Sequence, residues 1–135
     1  MWTINPYSEV GVNEPLIVKL NDTFIPIEDY SNVPAYIPTE IAFDSYNNIW
    51  IAYQSENELG SDSNIMYSPG GLKMLSFESI NNLEQYSWFN YPLPELSNVN
   101  VWSIAIGGDK YGNNILWVLS DNGVMGYIIN IEYIT

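Results

Sequence analysis

A two-strand pattern occurs twice in this sequence, and it limits the possible fold more than any other feature. Residues Ile41 to Ala52 read IAFDSYNNIWIA, and residues Ile104 to Leu119 read IAIGGDKYGNNILWVL. Each segment consists of an apolar strand, an aspartate, a polar turn that ends in two asparagines, and a second apolar strand that contains a tryptophan. The opening residues MWTI resemble that second strand. A pattern that recurs along a chain is typical of repeat architectures.

Two further strands are predicted after each strand that contains a tryptophan. Short runs of aliphatic and aromatic residues between Asn, Asp, Gly and Pro indicate such strands. The third strands are Pro15 to Leu20, Gly71 to Phe77 and Gly123 to Ile129, and the fourth strands are Thr23 to Ile27, Tyr86 to Tyr91 and Ile131 to Thr135. Helical periodicity is nearly absent, and a helical turn is predicted only at Ser79 to Gln85.

The predicted fold class is all-β, with about three four-stranded antiparallel units at roughly 1–32, 39–91 and 101–135 in a single domain. The first unit lacks its first strand. A four-stranded sheet cannot bury both of its faces alone, and stacking such sheets around an axis solves this problem in a β-propeller. Three units do not close a ring, so we expect a partial propeller with an exposed apolar sheet face at each end. The remainder of a longer chain, or protein partners, would complete it.

The repeat resembles the two-component-regulator propeller repeat. That family's pattern of strand, Asp, turn, Asn and Trp, followed by Gly-Leu at the next strand, is matched by Ile41 to Trp50 with Gly71-Leu72 and by Ile104 to Trp117 with Gly123-Val124. The resemblance implies a propeller from the sensor half of a bacterial hybrid histidine kinase or from a bacterial surface protein. It implies no functional residues, because the family does not keep them at shared positions.

The composition excludes several kinds of function. Sixteen Asp and Glu face three Lys and no Arg, which gives a net charge of -13 and makes nucleic acid an unfavourable partner. The chain has neither His nor Cys, so we expect no catalytic centre, no transition metal and no cofactor. Its apolar runs are too short for membrane insertion.

Five tryptophans are candidates for binding, and three of them share one position of the repeat. Trp2, Trp50 and Trp117 would form a sugar-stacking platform or, more simply, would pack between neighbouring sheets. Trp102, at the start of a first strand and outside this register, is the better candidate for contact with a partner. Burial is the simpler interpretation for Trp102 as well.

The two aspartates of the repeated turns, Asp44 and Asp109, have two interpretations. Their carboxylates, with the nearby asparagines, resemble the oxygen ligands that calcium prefers. The simpler interpretation is turn chemistry, because Asp and Asn side chains bond nearby backbone amides. Each turn supplies one carboxylate, which favours the simpler interpretation.

The most acidic stretch of the middle unit is predicted to be a long loop between its second and third strands, QSENELGSDSNIMYSPG. Glu56, Glu58 and Asp62 lie in this stretch. A glycosidase holds two carboxylates on a rigid frame, which a loop rich in Ser and Gly does not provide. These three residues are therefore predicted to lie in a solvated loop or to form a contact surface for a basic or calcium-bearing partner.

The leading functional prediction is a non-enzymatic propeller scaffold that binds a ligand or a protein in an extracytoplasmic sensor or surface protein. Its location would be the periplasm or the cell surface. The alternative is a structural component of a phage virion or another large assembly. A propeller enzyme is the third possibility, and the missing His and Cys make it the least favoured.

Overall fold

A computed structural model describes residues 1–4, 15–29, 37–59, 65–79, 82–91, 96 and 99–129 of the chain. These residues form ten strands. The strands are β1 (Trp2–Ile4), β2 (Leu16–Leu20), β3 (Thr23–Ile27), β4 (Ile37–Phe43), β5 (Ile49–Leu59), β6 (Ile65–Ser79), β7 (Asn82–Tyr91), β8 (Val101–Gly108), β9 (Asn114–Ser120) and β10 (Gly123–Ile129). Across the same residues, no helix is long and apolar enough to cross a membrane.

The strands form three antiparallel sheets in chain order. Sheet 1 contains β1 to β3, sheet 2 contains β4 to β7, and sheet 3 contains β8 to β10. Within each sheet, every strand pairs with the next one in the sequence. The prediction of an all-β chain built from antiparallel meanders is therefore confirmed. The fourth strand predicted for the last unit, Ile131 to Thr135, lies outside the described residues.

Two local predictions are wrong. The expected long loop of the middle unit is largely a hairpin, because β5 continues to Leu59 and β6 begins at Ile65. The expected helical turn at Ser79 to Gln85 is replaced by the end of β6 and the start of β7, which pair with each other. In both places the strands extend into polar sequence, because ladder hydrogen bonds to a neighbouring strand outweigh weak local preferences.

Sheet 2 lies between the other two sheets. On one face it shares a core with sheet 1, formed by Leu16, Val18, Ile27, Ile49, Ile51, Tyr53 and Leu75. On the other face it shares a core with sheet 3, formed by Trp50, Ala52, Leu72, Met74, Leu96, Val101, Ile104, Leu116, Val118 and Ile129. Successive side chains of a strand point to opposite faces, so a central strand between two cores is apolar throughout. The run from Ile49 to Tyr53 is buried at every position for this reason.

Polar contacts fix sheet 2 against sheet 3. The hydroxyl of Thr39 donates to the carbonyl of Val101 at 2.6 Å. Near the turns, the Asn114 amide donates to the Ser45 hydroxyl at 2.8 Å and accepts from the Ser45 backbone amide at 3.3 Å. These directional bonds set the position of the two sheets along their strands, which apolar packing alone leaves loosely defined.

Sheets 1 and 2 are joined by a buried ion pair. The ammonium of Lys73 bonds the carboxylate of Asp29, and both side chains are almost fully buried. Burial lowers the pKa of Lys73, and the hydrogen bond and the charge of Asp29 oppose that shift. Beside the pair, the Trp88 indole donates to the carbonyl of Glu28 at 3.0 Å.

Candidate interaction face

The face of sheet 3 that points away from sheet 2 is apolar. We call it the outer face of sheet 3 and define it by nine residues in three ladder rows. The rows are Ser103–Leu119–Val124, Ala105–Trp117–Gly126 and Gly107–Ile115–Ile128. None of the nine residues is charged, and the large side chains of Trp117, Leu119, Val124 and Ile128 are exposed.

The exposed Trp117 lies on the face of sheet 3 that corresponds to the Trp50 face of sheet 2, but two residues farther from its turn. Trp50 pairs with an alanine on the first strand of its sheet, Ala42, and with Met74 on the third strand. Trp117 likewise pairs with Ala105 and with Gly126. Counted from the matching turns of Asp44 and Asp109, the position of Trp50 is held in sheet 3 by Ile115, so the predicted equivalence of the two tryptophans is wrong by two residues along the strand.

The surroundings of Trp50 and Trp117 also differ. Trp50 is 0% exposed because sheet 3 covers it, whereas Trp117 is 51% exposed. Trp2, opposite Val18 on sheet 1, is half-buried against the core between sheets 1 and 2. Trp2 and Trp50 each face the sheet that follows their own sheet, and Trp117 lies on the corresponding face of sheet 3. The prediction of packing between sheets is confirmed for Trp50 and is wrong for Trp117, whose side chain no described sheet covers.

The Trp117 ring lies over its cross-strand neighbour Gly126. A Cβ atom added at Gly126 would approach the ring to 2.8 Å. The glycine therefore lets the indole lie close to the sheet. This arrangement produces a flat aromatic surface at the centre of the outer face, with small residues of β8 beside it.

Trp102 lies at the rim of sheet 3, at a register shift between Val101 and Ser103. It is 46% exposed, so the expectation that it is buried is wrong. Its indole donates to Asp121 at 2.9 Å, and the Asn100 amide donates to the same carboxylate at 2.8 Å. These two hydrogen bonds lower the pKa of Asp121, and the bond from Trp102 has the larger effect. A bulge commonly redirects a side chain, and here the redirected indole is held by Asp121.

Asp44 accepts four hydrogen bonds within its own turn and strand. The donors are the backbone amides of Tyr46 at 2.8 Å and Asn48 at 3.0 Å, the Asn48 side chain at 3.0 Å and the Trp50 indole at 3.0 Å. A carboxylate that accepts this many donors has few lone pairs left for a cation. The geometry agrees with turn chemistry rather than with a calcium ligand.

Asp109 repeats most of this arrangement at the surface. It accepts from the backbone amides of Tyr111 and Asn113 and from the Asn113 side chain. The hydrogen bonds from Asn113 are the main cause of its lowered pKa. Both strand pairs therefore turn through their aspartates, as predicted. In the described ranges, no three His, Cys, Asp or Glu residues are grouped so that they would hold a metal ion.

The acidic candidates of the middle unit lie differently from the prediction. The backbones of Glu56 and Glu58 belong to β5, where they pair with Ser68 and Met66 of β6. Asp62 lies outside the described residues. The proposed contact surface at these three residues stays a prediction.

The sequence predicted an exposed apolar sheet face at each end of the stack, as found on the outer face of sheet 3, but it assigned Trp117 to packing rather than to that exposed face. Strand β9, NILWVLS, carried a sign of this exposed apolar face. Between its polar ends, the side chains that point to one face of the sheet and those that point to the other face are all apolar. A strand of this kind is typical of a sheet that is buried on both faces. Comparisons with protein-family models, with curated proteins and with solved structures found no match for this chain.

Proposed function

We propose that this chain is a non-enzymatic scaffold, a section of a β-propeller that binds protein through the outer face of sheet 3. One observation carries the proposal. Trp117 lies on the face of sheet 3 that corresponds to the Trp50 face of sheet 2, yet Trp50 is fully covered by the following sheet and Trp117 is half exposed. Sheet 3 covers the corresponding face of sheet 2, so the exposed apolar face of sheet 3 is suited to bind a similar protein surface.

The order of the sheets supports a propeller. Sheets 1, 2 and 3 follow one another in the chain, each is an antiparallel meander, and sheet 2 packs against both of the others. Trp2 and Trp50 both point toward the next sheet. Radially stacked sheets in chain order are the arrangement that a propeller repeats.

The chemistry of the face favours a protein over a sugar. Carbohydrate sites combine an aromatic platform with convergent polar groups that fix the ligand. On the outer face of sheet 3, the only side-chain hydroxyl of the nine residues is that of Ser103. Exposed apolar patches of this kind mark protein contact surfaces.

The polar groups that the repeat provides have structural partners, which supports a scaffold rather than an enzyme. Asp44 is bonded within its turn, Asp29 is paired with Lys73, and Asp121 is bonded to Trp102 and Asn100. The family resemblance places such a scaffold in an extracytoplasmic sensor or surface protein, and we adopt that location as part of the proposal.

Photocrosslinking in the producing cell tests the scaffold. A photoreactive amino acid at Leu119 places the probe on the outer face, and the same probe at Tyr46, an exposed turn residue of sheet 2, is the matched control. We expect covalent adducts from position 119 to a defined polypeptide, identified by mass spectrometry, and few from position 46. Equal labelling from both positions would show that the face has no specific protein cover and would reject the proposal.

A further inference from the structure

The second open end of the stack is the face of sheet 1 that points away from sheet 2. Strand alternation places Thr3, Ile17, Lys19, Phe24 and Pro26 on this face, which we call the outer face of sheet 1. Phe24 is 63% exposed. The Lys19 ammonium lies 5.6 Å from the centre of its ring. A large exposed aromatic therefore marks this end of the stack, as Trp117 marks the other end.

Phe24 occupies in sheet 1 the ladder position that Trp88 occupies in sheet 2. Phe24 pairs with Lys19, which follows Val18, the cross-strand partner of Trp2. Trp88 pairs with Leu75, the residue after the partner of Trp50. The two positions are thus equivalent in register.

The equivalence predicts what the Phe24 position contacts. Trp88 packs against the core between sheets 1 and 2, and its indole bonds the Glu28 carbonyl at the end of sheet 1. In sheet 2, this ladder position therefore contacts the preceding sheet. Phe24 has no described sheet before it.

We propose that the chain self-associates head to tail, with the outer face of sheet 3 of one copy covering the outer face of sheet 1 of a second copy. The proposal rests on the function proposed above and names its partner. It continues the interfaces already present between sheets 1 and 2 and between sheets 2 and 3, because Trp117 lies on the face of sheet 3 that corresponds to the Trp50 face of sheet 2, and Phe24 pairs like Trp88. Both halves of the missing contact are present on one chain.

Closure of the ring by two copies follows from the number of sheets. Two chains supply six sheets, and propellers typically close with roughly four to eight. Each copy then contributes one sheet 3 face and one sheet 1 face, and neither remains open. A head-to-tail contact that does not close would instead produce a filament.

The charges decide how the contact depends on salt. Each copy carries a net charge of -13, which opposes association. The nine residues of the outer face of sheet 3 carry no charge, and the outer face of sheet 1 carries only the positive Lys19. Salt screens the repulsion between the copies and leaves apolar burial intact, so we expect association to tighten as ionic strength rises.

Sedimentation of the full chain over a concentration series tests the proposal. We expect a discrete species of about twice the 15.4 kDa chain mass, favoured by salt. Trp117→Lys and Phe24→Lys should each weaken it by about tenfold or more, because each places an ammonium in a contact that excludes water. Tyr46→Lys, at an exposed turn away from both faces, should have no effect. Because the replaced side chains are exposed, circular dichroism of the variants should match that of the parent.

Mixing the two variants identifies which faces meet. The Trp117→Lys copy keeps its sheet 1 face and the Phe24→Lys copy keeps its sheet 3 face, so the mixture should form a heterodimer through one intact contact. If Phe24→Lys dimerises normally and mixing does not restore Trp117→Lys, sheet 3 pairs with itself and the head-to-tail proposal is wrong. A parent chain that is monomeric throughout the series, or that forms open polymers, also overturns it.

The crosslinking from Leu119 separates the two proposals. Adducts to a second copy of this chain support both proposals. Adducts only to a different polypeptide keep the scaffold and overturn self-association, and labelling no greater than that from Tyr46 overturns both.

Discussion

The indole nitrogen of Trp50 donates a hydrogen bond of 3.0 Å to Oδ2 of Asp44, and both residues are buried. The bond ties the turn between β4 and β5 to the strand that fills both cores of sheet 2. Trp117 is 51% exposed, and no described bond joins it to Asp109. One repeated pattern has therefore produced a buried polar connection in sheet 2 and an exposed aromatic in sheet 3.

Replacement of Asp44 by Asn should destabilise the protein more than replacement of Asp109 by Asn. Oδ2 of Asp44 accepts hydrogen bonds from the Asn48 side chain and the Trp50 indole. In Asp44→Asn, an amide NH₂ group would take the place of this oxygen and would face both donors. Buried donors left without acceptors cost about 1–3 kcal/mol each, so we expect a loss of roughly 2–4 kcal/mol.

Asp109→Asn is the matched control, because its turn is at the surface and one donor, the Asn113 side chain, faces the changed oxygen. We expect a smaller loss than for Asp44→Asn, because water can satisfy the donor that the exposed turn leaves free. Urea unfolding at neutral pH, analysed by the transition midpoint, measures both variants. Equal losses would show that Asp44 contributes no more than an ordinary turn residue.

Replacement of Lys73 by Met should be strongly destabilising. It leaves the buried Asp29 carboxylate without its cation, and breaking a buried pair from one side costs about 3–5 kcal/mol. The double variant Asp29→Asn/Lys73→Met has no charge at this site, so it should recover much of the lost free energy of unfolding. A double variant less stable than Lys73→Met would contradict this account of the pair.

Replacement of Gly70 by Ala should cost more than replacement of Gly112 by Ala. Both glycines have positive φ, 74° and 85°, where an L-residue costs about 1–2 kcal/mol. At Gly70 a Cβ would also lie 2.3 Å from the Val99 carbonyl oxygen, whereas at Gly112 it would meet nothing within 4 Å.

We therefore expect a loss of about 1–2 kcal/mol for Gly112→Ala and roughly 2–5 kcal/mol for Gly70→Ala. Thermal unfolding of the two variants side by side provides the comparison. Similar melting temperatures would mean that the backbone at Val99 moves away without cost.

Acid should remove a stabilising contribution of Asp121. Hydrogen bonds from Trp102 and then Asn100 lower the pKa of this carboxyl below 3.8 in the folded protein. The contribution is therefore present above the unfolded pKa and is lost as pH falls through the lower folded pKa. Carboxyl NMR titration should show the lowered pKa, and Trp102→Phe, which removes the first donor, should raise it toward 3.8. An unchanged titration in that variant would contradict the assigned cause.

The fold class, the antiparallel meanders and the hairpins through Asp44 and Asp109 were predictable from the amino-acid sequence. These features depend on residues close together in the chain: alternating apolar positions, turn-forming Asp and Asn, and glycine where φ is positive. The shared face of Trp50 and Trp117 was predictable for the same reason, because the face follows from the turn and from the side-chain period of two. Their predicted equivalence along the strand is wrong, since Trp117 lies two residues farther from its turn.

Which side of each sheet is covered was not predictable from the sequence, because it depends on how the sheets stack. Leu116 and Trp117 are adjacent apolar residues of one strand, and nothing local distinguishes the one that is buried from the one that is exposed. Their difference arises because sheet 2 packs on one face of sheet 3 and no described sheet packs on the other. The extension of β5 through Glu58 was likewise decided by pairing with β6, since acidic residues have little intrinsic preference for strands. Burial depends on contacts between residues far apart in the sequence, and those contacts exist only once the sheets are stacked.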